Sequence, residues 1–151
     1  MEERDWTVTS RSDDLPFVRT TAPPYYAAIL TTALSTDAAD LTGYVEAAAE
    51  MADLAAQLDG YLGMEFARDE GCGITVSYWR DLDALRSWRD NIAHVAAQRQ
   101  GRERFYLGYR VRICHVEREY EWSRPTDSVS RSIRDSDSEP GEGPTGPHWT
   151  P

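Results

Sequence analysis

The fold of this chain is decided by the stretch Gly73-Ile74-Thr75-Val76-Ser77-Tyr78-Trp79-Arg80-Asp81-Leu82-Asp83-Ala84-Leu85-Arg86-Ser87-Trp88. Its first half alternates two sets of side chains, as a β-strand does, so Tyr78 and Trp79 point to opposite faces of a sheet. Asp81 can then cap a helix whose apolar positions are Leu82, Leu85 and Trp88. Several aromatic side chains meet at this strand–helix corner, and we therefore expect a ligand to bind there.

The segments on either side extend this pattern to six elements. The six predicted elements, in chain order, are strand Tyr25–Leu34, helix Asp40–Leu58, strand Tyr61–Arg68, strand Cys72–Arg80, helix Leu82–Gln100 and strand Tyr109–Trp122. This βαββαβ order predicts an α+β, ferredoxin-like fold, in which an antiparallel sheet carries both helices on one face. The other face still has apolar side chains. A second copy of the sheet would cover them, so we expect a homodimer that closes toward a barrel.

Composition divides the chain into three zones. Residues 1–24 form a polar N-terminal extension, and residues 25–122 carry nearly all of the periodic apolar pattern. Residues 123–151 are rich in Ser, Pro, Gly and acids, so they bury too little surface to offset their ordering entropy and are expected to be disordered. The terminal motif His148-Trp149-Thr150-Pro151 could dock on a protein partner, or the tail could serve only as a solubilising extension.

Charge and cysteine content narrow the class of protein. The net charge is −10 over 151 residues, which argues against binding to nucleic acid or to an anionic membrane. Two cysteines do not make a disulfide framework, and no secretory signal or long apolar run is seen, so a reduced cytoplasmic protein is expected. The three histidines lie far apart without ligand spacing, and no metal site is predicted.

Three motifs carry a resemblance to a known family. Together with the order of the elements, the segments Gly60–Glu65, Gly73–Trp79 and Gly101–Tyr106 resemble the antibiotic biosynthesis monooxygenase family. The resemblance covers residues 25–122 and implies a small dimeric α/β barrel. The superfamily includes cofactor-free oxygenases of aromatic polyketides and haem-degrading enzymes, so it implies the fold more specifically than the activity.

The haem-degrading branch of that superfamily is matched at one of its three functional positions. Trp88 corresponds to the tryptophan of its second helix, but the first predicted strand has no asparagine. His94 comes about a turn too early to be the iron ligand, which would lie near Ala97 or Gln98. Haem binding or degradation is therefore the weaker reading of the resemblance.

The cofactor-free oxygenases fit better. In that chemistry an electron-rich phenol or enol loses a proton, and its anion passes an electron directly to dioxygen, so neither a cofactor nor a metal is expected. For this chemistry His94 is the expected base and Arg80 the expected holder of an anion, and Trp88 completes the predicted catalytic set as an aromatic wall of the pocket. The aromatic walls for a small aromatic or polyketide-like substrate would be Tyr78, Trp79 and Tyr106.

Other interpretations of these residues remain open. An unbroken helix, at about 100° per residue, would turn His94 more than about 120° away from the apolar stripe, toward solvent. A bend near Asp90 and Asn91, or a partner subunit, would instead bring His94 to a pocket. Trp88 could simply pack in the core, and the whole protein could be a non-catalytic small-molecule-binding or scaffold protein that its tail directs to a partner.

Overall fold

The fold is an antiparallel sheet with three helices on one of its faces. A computed structural model describes residues 17–122 and the backbone of residues 6–9; the predicted tail 123–151 and its terminal motif lie outside the described residues. The elements are β1 Trp6–Thr9, β2 Tyr25–Leu34, α1 Tyr44–Ala56, β3 Tyr61–Asp69, β4 Cys72–Trp79, α2 Leu82–Arg89, α3 Ile92–Gln100, a π-helical turn Gly101–Phe105 and β5 Tyr106–Val116.

The sheet has the strand order β1-β3-β4-β2-β5, and every neighbouring pair is antiparallel. Strands β2 to β5, with the helices between them, have the order that the sequence predicts. The α+β ferredoxin-like fold is thereby confirmed. Strand β1 is an addition that the sequence did not predict: it pairs with the outer edge of β3, with Trp6 opposite Ala67.

Helix α1 and the last strand each differ from their predicted bounds by several residues. Helix α1 begins at Tyr44 rather than Asp40, because Gly43 just before it has a φ of 80°, a left-handed conformation that cannot continue into a preceding helical turn. The Asp40 carboxylate instead accepts a hydrogen bond of 2.7 Å from the Ser35 hydroxyl. The last strand starts three residues earlier than predicted, at Tyr106, and ends at Val116 instead of Trp122.

The core lies between the sheet and the helices and is built around Trp79. This side chain is fully buried and packs against small and apolar residues of the helices: Ala55, Ala84, Leu85 and Trp88. Its indole N–H donates a hydrogen bond of 2.9 Å to the Ser77 hydroxyl, so the polar atom of the buried ring is satisfied. Trp79 and Ser77 therefore mark the helix-covered face of the sheet.

The opposite face, called the open face below, carries Ile29, Thr31, Ile74, Val76 and Tyr78, which the register places side by side. No helix of the described residues packs on it, and Ile74 is 47% exposed. One end is closed by polar contacts: the Tyr78 hydroxyl donates to Glu65 at 2.8 Å, and the Glu65 carboxylate also accepts from the Val18 backbone at 3.1 Å. Within the described part of the chain, no helix is long and apolar enough to cross a membrane.

Candidate functional site

The predicted second helix is interrupted at Asp90 and Asn91. Asn91 has extended backbone angles (φ −61°, ψ 129°), so α2 ends before it and α3 starts after it. Its side-chain oxygen accepts hydrogen bonds from the backbone N–H groups of Ala93 and His94, at 3.0 and 3.3 Å. Asn91 is thus an N-cap inside what the apolar spacing indicates as one helix. Ile92, which that spacing assigns to the buried stripe, is 88% exposed.

The interruption brings His94 back onto Trp88. The imidazole stacks on the indole with ring centroids 4.0 Å apart and an angle of 12° between the planes. His94 Nδ1 lies 3.0 Å from the Trp88 carbonyl oxygen. A carbonyl only accepts, so Nδ1 carries the proton and Nε2 keeps its lone pair in the neutral ring. The expectation for an unbroken helix, with His94 turned to solvent, is therefore wrong, and the bend at Asn91 is the reason.

The environment of His94 favours the uncharged imidazole. Burial lowers the pKa of His94 below its ordinary value of 6.5, and the hydrogen bond to the Trp88 carbonyl opposes this only in part. Gln98 lies one turn further along α3, with its side-chain nitrogen 3.4 Å from His94 Nε2. At neutral pH the ring is therefore a neutral proton acceptor in a fixed orientation.

Replacing Asn91 with alanine is expected to lower the free energy of unfolding by about 1 kcal/mol, because two backbone N–H groups of α3 lose their acceptor. Urea denaturation followed by circular dichroism measures the change. Asn91→Asp is the matched control, since an aspartate caps equally well and its stability should stay close to that of the original protein. Equal losses in both variants would contradict the capping role.

A cavity of about 630 Å³ opens between the helix-covered face and the helices α2 and α3. Trp88 and His94 form one wall, and Tyr106 and Tyr109 of β5 form another. The floor consists of short and apolar side chains of the sheet: Ala28, Leu30, Thr75, Ser77, Val111 and Ile113. The cavity has the size of sites that take drug-sized ligands, and its lining is mostly apolar but includes Arg86, Arg89 and Gln98.

Three of the six predicted site residues line this cavity: Trp88, His94 and Tyr106. Burial and the neighbouring Tyr44 raise the pKa of Tyr106, so its phenol stays protonated at neutral pH. Tyr106 lines the same cavity as the histidine, so its protonated phenol is one of the hydrogen-bonding groups of the lining.

The other three predicted residues lie elsewhere. Arg80 follows the last residue of β4, and its exposed guanidinium is bound by Asp59 at 2.9 Å and by Asp81 at 3.0 Å. Arg80 also lowers the pKa of the Asp59 carboxyl through this pair. The expectation that Arg80 holds a substrate anion in the pocket does not agree with this placement, because two aspartates occupy the guanidinium outside the cavity.

The two aromatic side chains of β4 are separated by the alternation of the strand. Trp79 lies beneath Trp88, with ring centroids 6.1 Å apart, and supports the cavity wall without lining it. Tyr78 lies on the open face, where its hydroxyl is bound by Glu65. Neither side chain forms the substrate wall that the sequence interpretation expected of it.

Gln98 and Tyr109 are two polar members of the lining that the sequence interpretation missed. Gln98 follows His94 by four residues and so shares its helix face, which is a usable signal. Tyr109 lies opposite Thr32 of β2, on the helix-covered face, and its ring is 6.0 Å from that of Tyr106. That placement depends on the pairing of β2 with β5, which the sequence does not show.

Known proteins resemble this chain in sequence. The family model described as antibiotic biosynthesis monooxygenase matches residues 28–100. The uncharacterized protein YqjZ of Bacillus subtilis is 44% identical over 102 residues, which are 67% of this chain and 87% of that protein. This chain belongs to the antibiotic biosynthesis monooxygenase family. The resemblance drawn from the three sequence motifs is confirmed.

Solved structures show the same fold at low sequence identity. The cofactor-independent oxygenase SnoaB of Streptomyces nogalater superposes with a TM-score of 0.54 at 12% identity, over 64% of this chain and 97% of that one. A putative antibiotic biosynthesis monooxygenase of Nitrosomonas europaea gives 0.55 at 8% identity, over 66% and 94%. These members of the family share the sheet and helices that enclose the cavity described above.

Proposed function

We propose that this family member is a cofactor-independent monooxygenase that acts on a small aromatic or polyketide-like compound. The observation that carries the proposal is the neutral His94, held by the Trp88 carbonyl so that Nε2 keeps its lone pair at the wall of the cavity. Membership of a monooxygenase family and the apolar, aromatic lining of the cavity support it. SnoaB, a cofactor-independent oxygenase, has the same fold.

The first step of the proposed reaction is a proton transfer. His94 Nε2 removes the proton of a phenol, an enol or an activated carbon acid, and the imidazolium that forms is stabilised by the Trp88 carbonyl at Nδ1. Tyr106 donates a hydrogen bond to the oxygen of the resulting anion. Apolar and aromatic side chains of the lining replace part of the water around the bound anion, so the anion remains a strong electron donor.

The oxygen chemistry then balances without any added reductant. The substrate anion passes one electron to dioxygen, and the carbon radical and superoxide combine to form a C–O bond. The imidazolium of His94 returns its proton to the peroxide. Loss of the second C–H proton with cleavage of the O–O bond releases water and leaves a carbonyl group. Anthrone, for example, would take up one dioxygen and give anthraquinone and one water.

The pH dependence of oxygen uptake tests the base. Because burial lowers the pKa of His94, the rate with anthrone should be constant above pH 7 and should fall as the pH drops through a midpoint below 6.5. The free energy of unfolding should also decrease as the pH falls, since protonation of the buried ring costs folding free energy. Oxygen-electrode measurements of kcat/KM from pH 5 to 8 check this, and a flat profile or a midpoint above 6.5 would contradict it.

We further propose that the protein is a homodimer through its open face. Ile74 is 47% exposed there, and Ile29 and Val76 are the neighbouring apolar residues of the same face. A second copy of the sheet offers the same apolar strip, so the two surfaces can cover each other about a two-fold axis. The hydrogen bond between Tyr78 and Glu65 lies at one end of the open face and does not cover its apolar residues.

Ile74→Asp is expected to convert the dimer to a monomer, because a carboxylate would have to be buried without a partner in the interface. Size-exclusion chromatography with light scattering measures the mass. Ile92→Asp makes the same change on the far side of the molecule, at the start of α3, and should leave the mass unchanged. A monomeric original protein would refute the proposed dimer.

We also propose that the protein works in the cytoplasm. The structure has free cysteines at Cys72 and Cys114, and the Cys72 thiol is exposed. An exposed free thiol persists in a reducing compartment and is readily oxidised outside it.

A further inference from the structure

A second cavity, of about 380 Å³, adjoins the first one beneath α1. The two cavities share four lining residues, namely Met51, Thr75, Ala97 and Tyr106. The second cavity is lined mainly by alanines of α1 and by aromatic rings, among them Phe66 and Phe105. Among the described residues that line it, Arg68 of β3 is the only charged one.

Arg68 is an unusual cation in this molecule. Its guanidinium carbon lies 4.5 Å from the ring centroid of Tyr44 and 5.2 Å from that of Phe66. Its Nε atom is buried and has no hydrogen-bond partner. Among the described residues 17–122, Arg68 forms no ion pair, whereas Arg80, Arg86, Arg89 and Arg99 each bind a carboxylate.

The aromatic contacts hold the guanidinium without using its hydrogen-bond donors. A ring that lies over the flat face of a guanidinium leaves the N–H groups at its edge unoccupied. The neighbouring acid Asp69 does not supply a partner, because it is exposed and strand alternation turns it to the other face. A guanidinium that lines an apolar cavity and has no carboxylate partner among the described residues is a site for an anion.

We propose that Arg68 binds the carboxylate of an aromatic monocarboxylate whose rings occupy the adjoining cavities. One guanidinium matches the single charge and planar two-oxygen geometry of a carboxylate. The apolar lining accepts the rings. This proposal rests on the proposed function in one respect, namely that the bound aromatic monocarboxylate is a substrate. Binding of the carboxylate at Arg68 does not depend on catalysis.

Calorimetric titration of the full chain with 2-naphthoate and 2-naphthamide tests this proposal. The two probes have the same rings and differ in charge. The original protein should bind the carboxylate at least tenfold more tightly than the amide, because a charge-assisted pair is stronger than a neutral one. In Arg68→Met the affinity ratio should fall to about one while the amide still binds, since only the charge is removed.

The controls separate this site from general charge effects and from misfolding. Arg110→Met removes an arginine of β5 that lies opposite Thr31 on the open face, and it should keep the tenfold ratio. If Arg68→Met fails to fold, Arg68→Gln gives the same comparison with a polar side chain. Equal binding of the two probes by the original protein, or an unchanged ratio in the Arg68 variants, would overturn the proposal. If the protein binds 2-naphthoate as expected but takes up no oxygen with anthrone, this proposal is upheld and the proposed oxygenase is refuted.

Discussion

Replacing His94 with asparagine should reduce oxygen uptake with anthrone by about 100- to 10,000-fold, the usual contribution of a general base. Asparagine carries an amide N–H in place of Nδ1 but has no basic nitrogen, so a donor to the Trp88 carbonyl is kept while the proton acceptor is lost. Initial rates in an oxygen electrode, without added flavin or metal, measure the effect.

His115→Asn is the matched control for that experiment. His115 lies on β5, where its ring contacts that of Tyr26 in a tilted arrangement with centroids 5.0 Å apart, and it does not line the cavity. Its replacement should change the rate less than twofold, because the proposed base and the cavity are untouched. A His94 variant that keeps more than a tenth of the original rate would remove His94 from the mechanism.

Replacing Trp79 with alanine should lower the free energy of unfolding by about 3–5 kcal/mol, the range found for large aromatic side chains in cores. Trp79 is fully buried, meets Tyr61 edge-on at 5.4 Å and supports Trp88 from below. Its loss leaves a void between the sheet and the helices and deprives the Ser77 hydroxyl of its donor. Urea denaturation monitored by circular dichroism gives the value.

Trp122→Ala provides the comparison for that loss. Trp122 is 78% exposed, so its replacement should change stability by less than about 0.5 kcal/mol. A Trp79 variant that loses less than about 1 kcal/mol would contradict the central place of this side chain in the core.

The sequence predicts the sheet well because its signals there are local. Strand β2 has its predicted bounds, and β3 and β4 differ from theirs by one residue each at the C-terminal end. Alternating side chains and the turn between β3 and β4 define these strands without reference to the rest of the fold. The strand β1 was not predicted, since four residues of a polar segment carry no comparable signal.

The helices and the site depend on information that spacing alone does not carry. Leu85, Trp88, Ile92 and Val95 fit one apolar stripe, which conceals the helix boundary at Asn91. The amide of Asn91 competes for the backbone and ends the first helix, and this local chemistry outweighs the apolar periodicity. The helix boundary at Asn91 also determines the position of His94, which the apolar spacing alone does not determine.

The arginines show a second limit of prediction from the sequence. Arg80, beside the aromatic corner, is bound by Asp59, which lies 21 residues earlier in the chain. Arg68, unmarked by any motif, lines a cavity and has a buried Nε without a hydrogen-bond partner. Whether a cation is already paired is decided by contacts between distant segments, and residue type and local spacing do not reveal it.

The hydrogen bond from the His94 ring to the Trp88 carbonyl has a consequence for how the site tolerates change. The proposed base and its aromatic support are joined twice, once through the chain of six residues and once through that bond. Drift in the sheet or in α1 would therefore displace both groups together and preserve their spacing. Because a short segment sets the arrangement of His94 and Trp88, this arrangement can persist while substitutions elsewhere in the cavity change the ligand that fits.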